Sequence, residues 1–182
     1  MTELLTWVFA ALFLLVIIAW YLSYTAARLD RLHVRLGGTL AALDARLVRR
    51  AEAAVELAHS GLLDGATALL LATAAGESLE APSEHGEARE QAESDLTEAL
   101  DLTLTPAVVT SLRESPHGQD LVDRLASACT RVELARRFHN DAVTDVRRVR
   151  RKWTIRMFHL AGHTPLPSTV EFDDEVPAPL AT

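Results

Sequence analysis

Histidine, cysteine and clustered arginine are the side chains of this sequence with chemistry to offer, and their spacing decides what each can do. His139 stands in the run Phe138-His139-Asn140-Asp141. A catalytic imidazole needs a nucleophile or a second carboxylate converging on it, and no motif supplies one. His139, Asn140 and Asp141 therefore read as a polar layer in a helical core, where a buried ring hydrogen-bonded to a neighbouring helix fixes register. His159 and His163 have the i,i+4 spacing of helical metal ligands. Gly162 and Pro165 place them at a helix end with no third ligand in sequence, which points to adventitious binding rather than a site. Cys129, the single cysteine, can close no intramolecular disulfide and no two-cysteine zinc clip. It reads as a small buried apolar side chain. No catalytic residue, metal site or cofactor is expected.

Arginine carries more information. It supplies seventeen of the eighteen basic residues, with Lys152 the one lysine. A formal net charge of −7 argues against nucleic-acid binding as a property of the whole molecule. The charge is unevenly spread: residues 77–123 hold twelve acids and two bases, residues 131–156 nine bases and three acids. Two basic groups are candidates for interaction. Arg49 and Arg50, with Asp44 and Glu52 beside them, could pair with Asp141 or Asp145 across helices. Arg147, Arg148, Arg150, Arg151 and Lys152 are either a solvated face, the plainer reading, or a contact for anionic lipid headgroups, each adding roughly 1 kcal/mol near a bilayer surface. Geometry separates the two, because a last helix antiparallel to a membrane-crossing first helix would carry this cluster back to the bilayer.

The elements that must position these residues are helical. Hydrophobic residues make up 49% of the chain and aromatic ones only 5%, with Leu and Ala dominant, which favours helix over sheet. Residues 4–24 contain no charge, and as a helix they reach about 31 Å, matching a hydrocarbon core. Trp7 near one end and Trp20, Tyr21 and Tyr24 at the other suit the headgroup zones. Glu3 precedes the run and no basic residue does, unlike a secretory leader, so a retained anchor is expected over residues 1–24. Arg28, Arg31 and Arg35 follow the span directly and predict a cytoplasmic bulk.

Beyond the span, apolar residues recur from Leu29 to Leu62 in steps of three and four, as in one long helix. No proline interrupts residues 1–81; Gly37-Gly38 and the Gly61/Gly65 pair weaken the helix and predict a bend, with Asp64 and Thr67 able to start a new one. The acidic stretch 76–95 holds a connection at residues 81–86, followed by a helix from Glu87 whose apolar face is Leu96, Ala99, Leu100 and Leu104. Thr105-Pro106 suits the start of a short helix through Glu114. From Leu121 to Trp153 a heptad seam runs with His139 as its one polar member, fit for antiparallel packing on the Leu/Ala face of the first helix. A helical bundle is thus expected over residues 25–157. Prolines and acids make residues 158–182 an extended or disordered acidic tail.

Two stretches carry a resemblance. LDARLVRRAEAAVELA at residues 43–58 and RVELARRFHNDAVTD at residues 131–145 resemble the two signature regions of LemA proteins, in the same order and behind the same kind of N-terminal span. The closest matches are Asp44, Leu47, Arg49, Arg50 and Leu57 in the first region, and Arg131, Ala135, Arg136, Asn140, Asp141, Ala142 and Val143 in the second. The chain departs from the family pattern near Val55, where a proline is usual, and at His139, where a tyrosine is. The resemblance implies a membrane-anchored, mostly antiparallel bundle of long helices with no established enzymatic activity. The expectation is an all-α protein, its N-terminal transmembrane helix continuing into an antiparallel bundle of long helices, that serves a bacterial cell membrane as a single-pass scaffold or protein-interaction module. The alternative is a lipid-organising or oligomer-forming structural protein. Membrane lipid, an unidentified protein and a homo-oligomer are the partners considered, and nucleic acid is not.

Overall fold

The computed structural model describes residues 2–82, 86–157 and 165–181, and these form helices without a strand. In chain order they are α1 (Thr2–Ala58), α2 (Gly65–Glu80), α3 (Glu87–Thr103), α4 (Pro106–Arg113), α5 (Pro116–Arg150) and α6 (Trp153–Met157), followed by a 3₁₀ turn at Ala178–Leu180. The protein is all-α as expected, a long apolar N-terminal helix followed by helices that pack against it.

Local chemistry explains the helix ends. α1 runs through Gly37 and Gly38 without interruption. It does not continue to Leu62, as the apolar periodicity predicts, but ends at Ala58, and the chain turns at Gly61 with φ of 74°, a left-handed conformation that glycine adopts without Cβ cost. The new start at Asp64 prevails because its carboxylate accepts from the backbone N–H groups of Ala66 and Thr67, both at 3.1 Å. The bonds from Thr67, followed by that from Ala66, hold the Asp64 carboxyl below its usual value. Thr105 caps α4 in the same way, accepting from Val108 N with Pro106 in the first turn.

The chain forms two compact units, one from Met1–Gly37 and Asp141–Ser168, the other from Gly38–Asn140 and Thr169–Thr182. The core of the second contains Ala51, Ala54 and Leu57 of α1, Leu71 and Ala75 of α2, Leu96 and Leu100 of α3, and Leu121 and Leu125 of α5. A smaller cluster joins Leu43 and Leu47 to Val132, Val170 and Phe172. The first unit has a short apolar contact of Leu29 and Leu32 with Val149 and Ile155. The α5 seam is shorter than its heptads predict: the helix stops at Arg150, Trp153 opens α6 with 71% of its surface exposed, and Ile155 is buried in its stead.

The C-terminal segment is extended and docked. Val170, Phe172 and Asp174 are buried while Glu171, Asp173 and Glu175 are exposed, the two-residue alternation of extended backbone. Among the described residues no strand lies beside it, and helix side chains bond its backbone instead. Asn140 donates to Val170 O at 3.0 Å and accepts from Val170 N at 2.9 Å. Asp173 N donates to Ser94 Oγ at 3.1 Å, and Thr97 Oγ1 donates to Asp173 O at 2.7 Å. His159 and His163 lie outside the described residues.

Candidate functional site

The first unit places a basic cluster beside the apolar helix. No residue of the most apolar window of α1 is buried, and its mean hydropathy is 2.4; this is the one described helix long and apolar enough to cross a membrane. Trp7 and Phe13 are 74% and 69% exposed, an uncovered apolar surface that a water-facing helix rarely carries. Leu29, which packs with Val149 and Ile155, lies five residues past Tyr24, about 7.5 Å along the helix. The end of α5 is thereby held just beyond the apolar run. Arg35 reaches Asp145 at 4.0 Å, and Arg148 reaches the same carboxylate at 3.7 Å, both exposed pairs of small energetic weight. Arg147 Nε donates to Pro167 O and Arg150 Nη1 to Pro165 O, each at 2.8 Å. Arg147, Arg150, Arg151 and Leu166 line a surface groove of about 450 Å³. Arg151 and Lys152 are exposed, and their side chains have no partner among the described residues.

The second unit encloses a charged network. Glu93 is fully buried: its Oε2 accepts from Arg50 Nη2 at 2.8 Å, and its Oε1 accepts from Arg89 Nη2 and Ser78 Oγ, both at 3.0 Å. Arg50 also donates to Thr97 Oγ1 at 3.0 Å and to Glu93 O at 2.9 Å, and Arg89 donates to Ser78 O at 3.0 Å. Two guanidinium groups thus share one carboxylate, and the surplus positive charge meets backbone carbonyls and the Phe172 ring, whose centroid lies 6.0 Å from Arg50 Cζ. Arg136 flanks the same ring at 5.7 Å and grips Asp174 with two bonds, 2.6 and 2.7 Å long, which raise the Arg136 pKa. Burial pushes the nearby Cys129 thiol up to about 11, opposed in part by the Arg50 charge.

The expected site residues meet different fates. Arg50, anticipated as an interaction residue that pairs with Asp141 or Asp145, is 1% exposed and bound to Glu93. The reason is helical phase: position 50 shares a face with the buried Leu43, Leu47, Ala54 and Leu57. Asp145 is instead engaged by Arg35 and Arg148, and Asp141 is exposed. Arg49 is exposed, as an interaction residue requires. His139 is buried at 3%, with its Nδ1 3.4 Å from Thr39 Oγ1 across helices, the polar layer that its seam position implies. Of the three residues expected in that layer only His139 is buried: Asn140 is half-buried and clamps the tail backbone rather than a neighbouring helix, and Asp141 is exposed.

Sequence reasoning missed Glu93, Arg89, Thr97, Phe172 and Asp174. A signal existed for the first: Glu93 precedes Leu96 by three residues and Leu100 by seven, so it prolongs the buried stripe of α3, and Arg89 sits at i−4. Among the described residues no group of three His, Cys, Asp or Glu side chains is placed to hold a metal ion. No family model, curated protein or solved structure matches the chain.

Proposed function

We propose that the chain is a single-pass protein of a bacterial cell membrane whose cytoplasmic helical bundle is an interaction scaffold of the LemA type, without catalytic activity. The observation that carries this reading is the joining of an uncovered apolar helix and a basic cluster from the far end of the chain in one compact unit. Arg28, Arg31 and Arg35 on α1 and Arg147, Arg148, Arg150, Arg151 and Lys152 on or after α5 concentrate positive charge on one side of the apolar run, the distribution that keeps a flank cytoplasmic. Exposed Trp153 adds an amphipathic ring to those of Trp20, Tyr21 and Tyr24 at the same end.

The same cluster favours a lipid-organising role within that scaffold. Arg151 lines a groove with Arg147 and Arg150, and neither it nor the exposed Lys152 has a side-chain partner among the described residues; guanidinium groups bind phosphate in a fork geometry. Membranes containing the full chain, washed at alkaline pH, test the anchor: the intact chain is expected in the pellet, and its release into buffer would end the reading. Thiol labelling of a cysteine placed just after Arg35 tests the side. Accessibility from outside intact cells would reverse the orientation.

A further inference from the structure

We propose that a second copy of the chain docks its α2/α3 face onto the α1/α5 groove of the second unit, so that the scaffold assembles head to tail. On one side of that unit, Arg46 and Arg49 of α1 and Arg131 of α5 line a groove of about 490 Å³. Its other charges are largely engaged: Arg124 by Glu56 at 2.7 Å and Asp120 at 3.1 Å, Asp123 by Arg113 at 3.8 Å. Arg46, Arg49 and Arg131 share the groove with Glu52 and with the already paired Glu56 and Asp123, and among the described residues none of the three arginines has an ion-pair partner. Arg46 and Arg131 also line an adjoining groove of about 280 Å³ with Leu134 and Phe138, which are 45% and 59% exposed. The surface therefore offers three free cations followed by an uncovered apolar patch.

The complement is carried by the same chain on different helices. Glu77 of α2 and Asp95 and Glu98 of α3 line a groove of about 300 Å³ with Leu70 and Leu102, 46% and 63% exposed. Among the described residues none of these three carboxylates meets a basic side chain. No residue lines both surfaces. Three carboxylates with two leucines, Asp95 also accepting from Gln91 Nε2 at 2.7 Å, are opposite in charge to three arginines with a leucine and a phenylalanine, an excess of positive charge that Glu52 offsets only in part. Opposite potentials steer such faces together and set their register, while the apolar patches supply burial. Because the two faces differ, the contact is heterologous and propagates into a ring or a row. Copies anchored in one bilayer meet at raised effective concentration.

This inference rests on the reading of the bundle as an interaction module, and the test separates the two. The full-length chain is purified in a mild non-ionic detergent and its mass followed by light scattering. Self-association is expected, weakening as salt shortens the range of charge attraction. R46E/R49E/R131E and E77R/D95R/E98R should each be monomeric with unchanged helical circular dichroism, since all six side chains lie outside the buried network. An equimolar mixture of the two variants should associate again, as should the chain with all six reversals. A monomeric wild-type chain, or association indifferent to both triple reversals, would overturn the proposal. So would an α1/α5 groove that binds anionic vesicles in an R46E/R49E/R131E-sensitive manner while the chain stays monomeric. A chain that stays in washed membranes and is monomeric loses this inference alone; one released into buffer loses the anchored-module reading.

Discussion

In the unit built from Met1–Gly37 and Asp141–Ser168, the basic groups of the α5 end are held at or near the surface, and Arg151 and Lys152 are exposed. In the unit built from Gly38–Asn140 and Thr169–Thr182, Arg50 and Arg89 are buried around Glu93, and Arg136 closes on Asp174 of the tail. The residue type is the same, yet its energetic standing is opposite. An exposed guanidinium keeps its hydration and makes weak, salt-screened pairs. A buried one is tolerated only while a carboxylate, carbonyls and an aromatic face replace the lost water. Substitution should therefore damage folding in the second unit and membrane contact in the first.

The sharpest way to break this contrast is Glu93→Ala. It strands two buried cations and should lower stability by about 3–5 kcal/mol, read from chemical denaturation of the detergent-solubilised chain. A loss as small as that of an exposed pair would show that the network is not desolvated as its geometry indicates. Phe172→Ala comes next. It opens a cavity and uncovers the faces of Arg50 and Arg136 at a cost of about 3 kcal/mol, and protease cleavage within the C-terminal tail should accelerate with it.

In the first unit, Arg151→Gln with Lys152→Gln should leave stability within about 0.5 kcal/mol of wild type. It should reduce preference for anionic over neutral lipid by roughly 1 kcal/mol per charge removed. Quenching of Trp153 by brominated anionic lipid, in a chain whose other tryptophans are replaced by phenylalanine, reads this directly. A destabilised fold with unchanged lipid preference would reverse the assignment of roles.

The smallest effect belongs to Asp64→Ala, which removes the α2 cap and should lower the melting temperature slightly. Because the folded Asp64 carboxyl titrates below its usual 3.8, the stability it adds is complete above that value and is lost as pH falls through the lower folded one. The difference between wild type and Asp64→Ala in thermal melting should therefore shrink at acid pH. A difference independent of pH would mean that the capping bonds do not distinguish the charged carboxylate.

Much of the architecture was legible in the chain because periodicity and capping are local. The uncharged run at residues 4–24, the α5 seam, the Thr105-Pro106 start and the buried His139 all follow from spacing of three and four residues or from one side chain and the N–H groups beside it. The end of α1 at Ala58 was less clear, since apolar spacing extends to Leu62 while Gly61 and Asp64 argue locally for a turn and a restart. Two local signals disagreed there, and the capping bonds prevailed.

The partners of the charges were a different matter. Arg50 and Glu93 stand 43 positions apart, and Phe172 and Asp174 belong to a segment whose acids suggest solvation. Its alternation of Val170, Phe172 and Asp174 was written in the residues, but what that face would meet was not. The sequence by itself determined most of the helical stretches and which one is apolar enough to cross a membrane, because backbone hydrogen bonding and hydropathy depend on neighbours along the chain. Only the tertiary structure decided which arginines are buried, since the cost of desolvating a charge is set by the groups that distant segments bring around it.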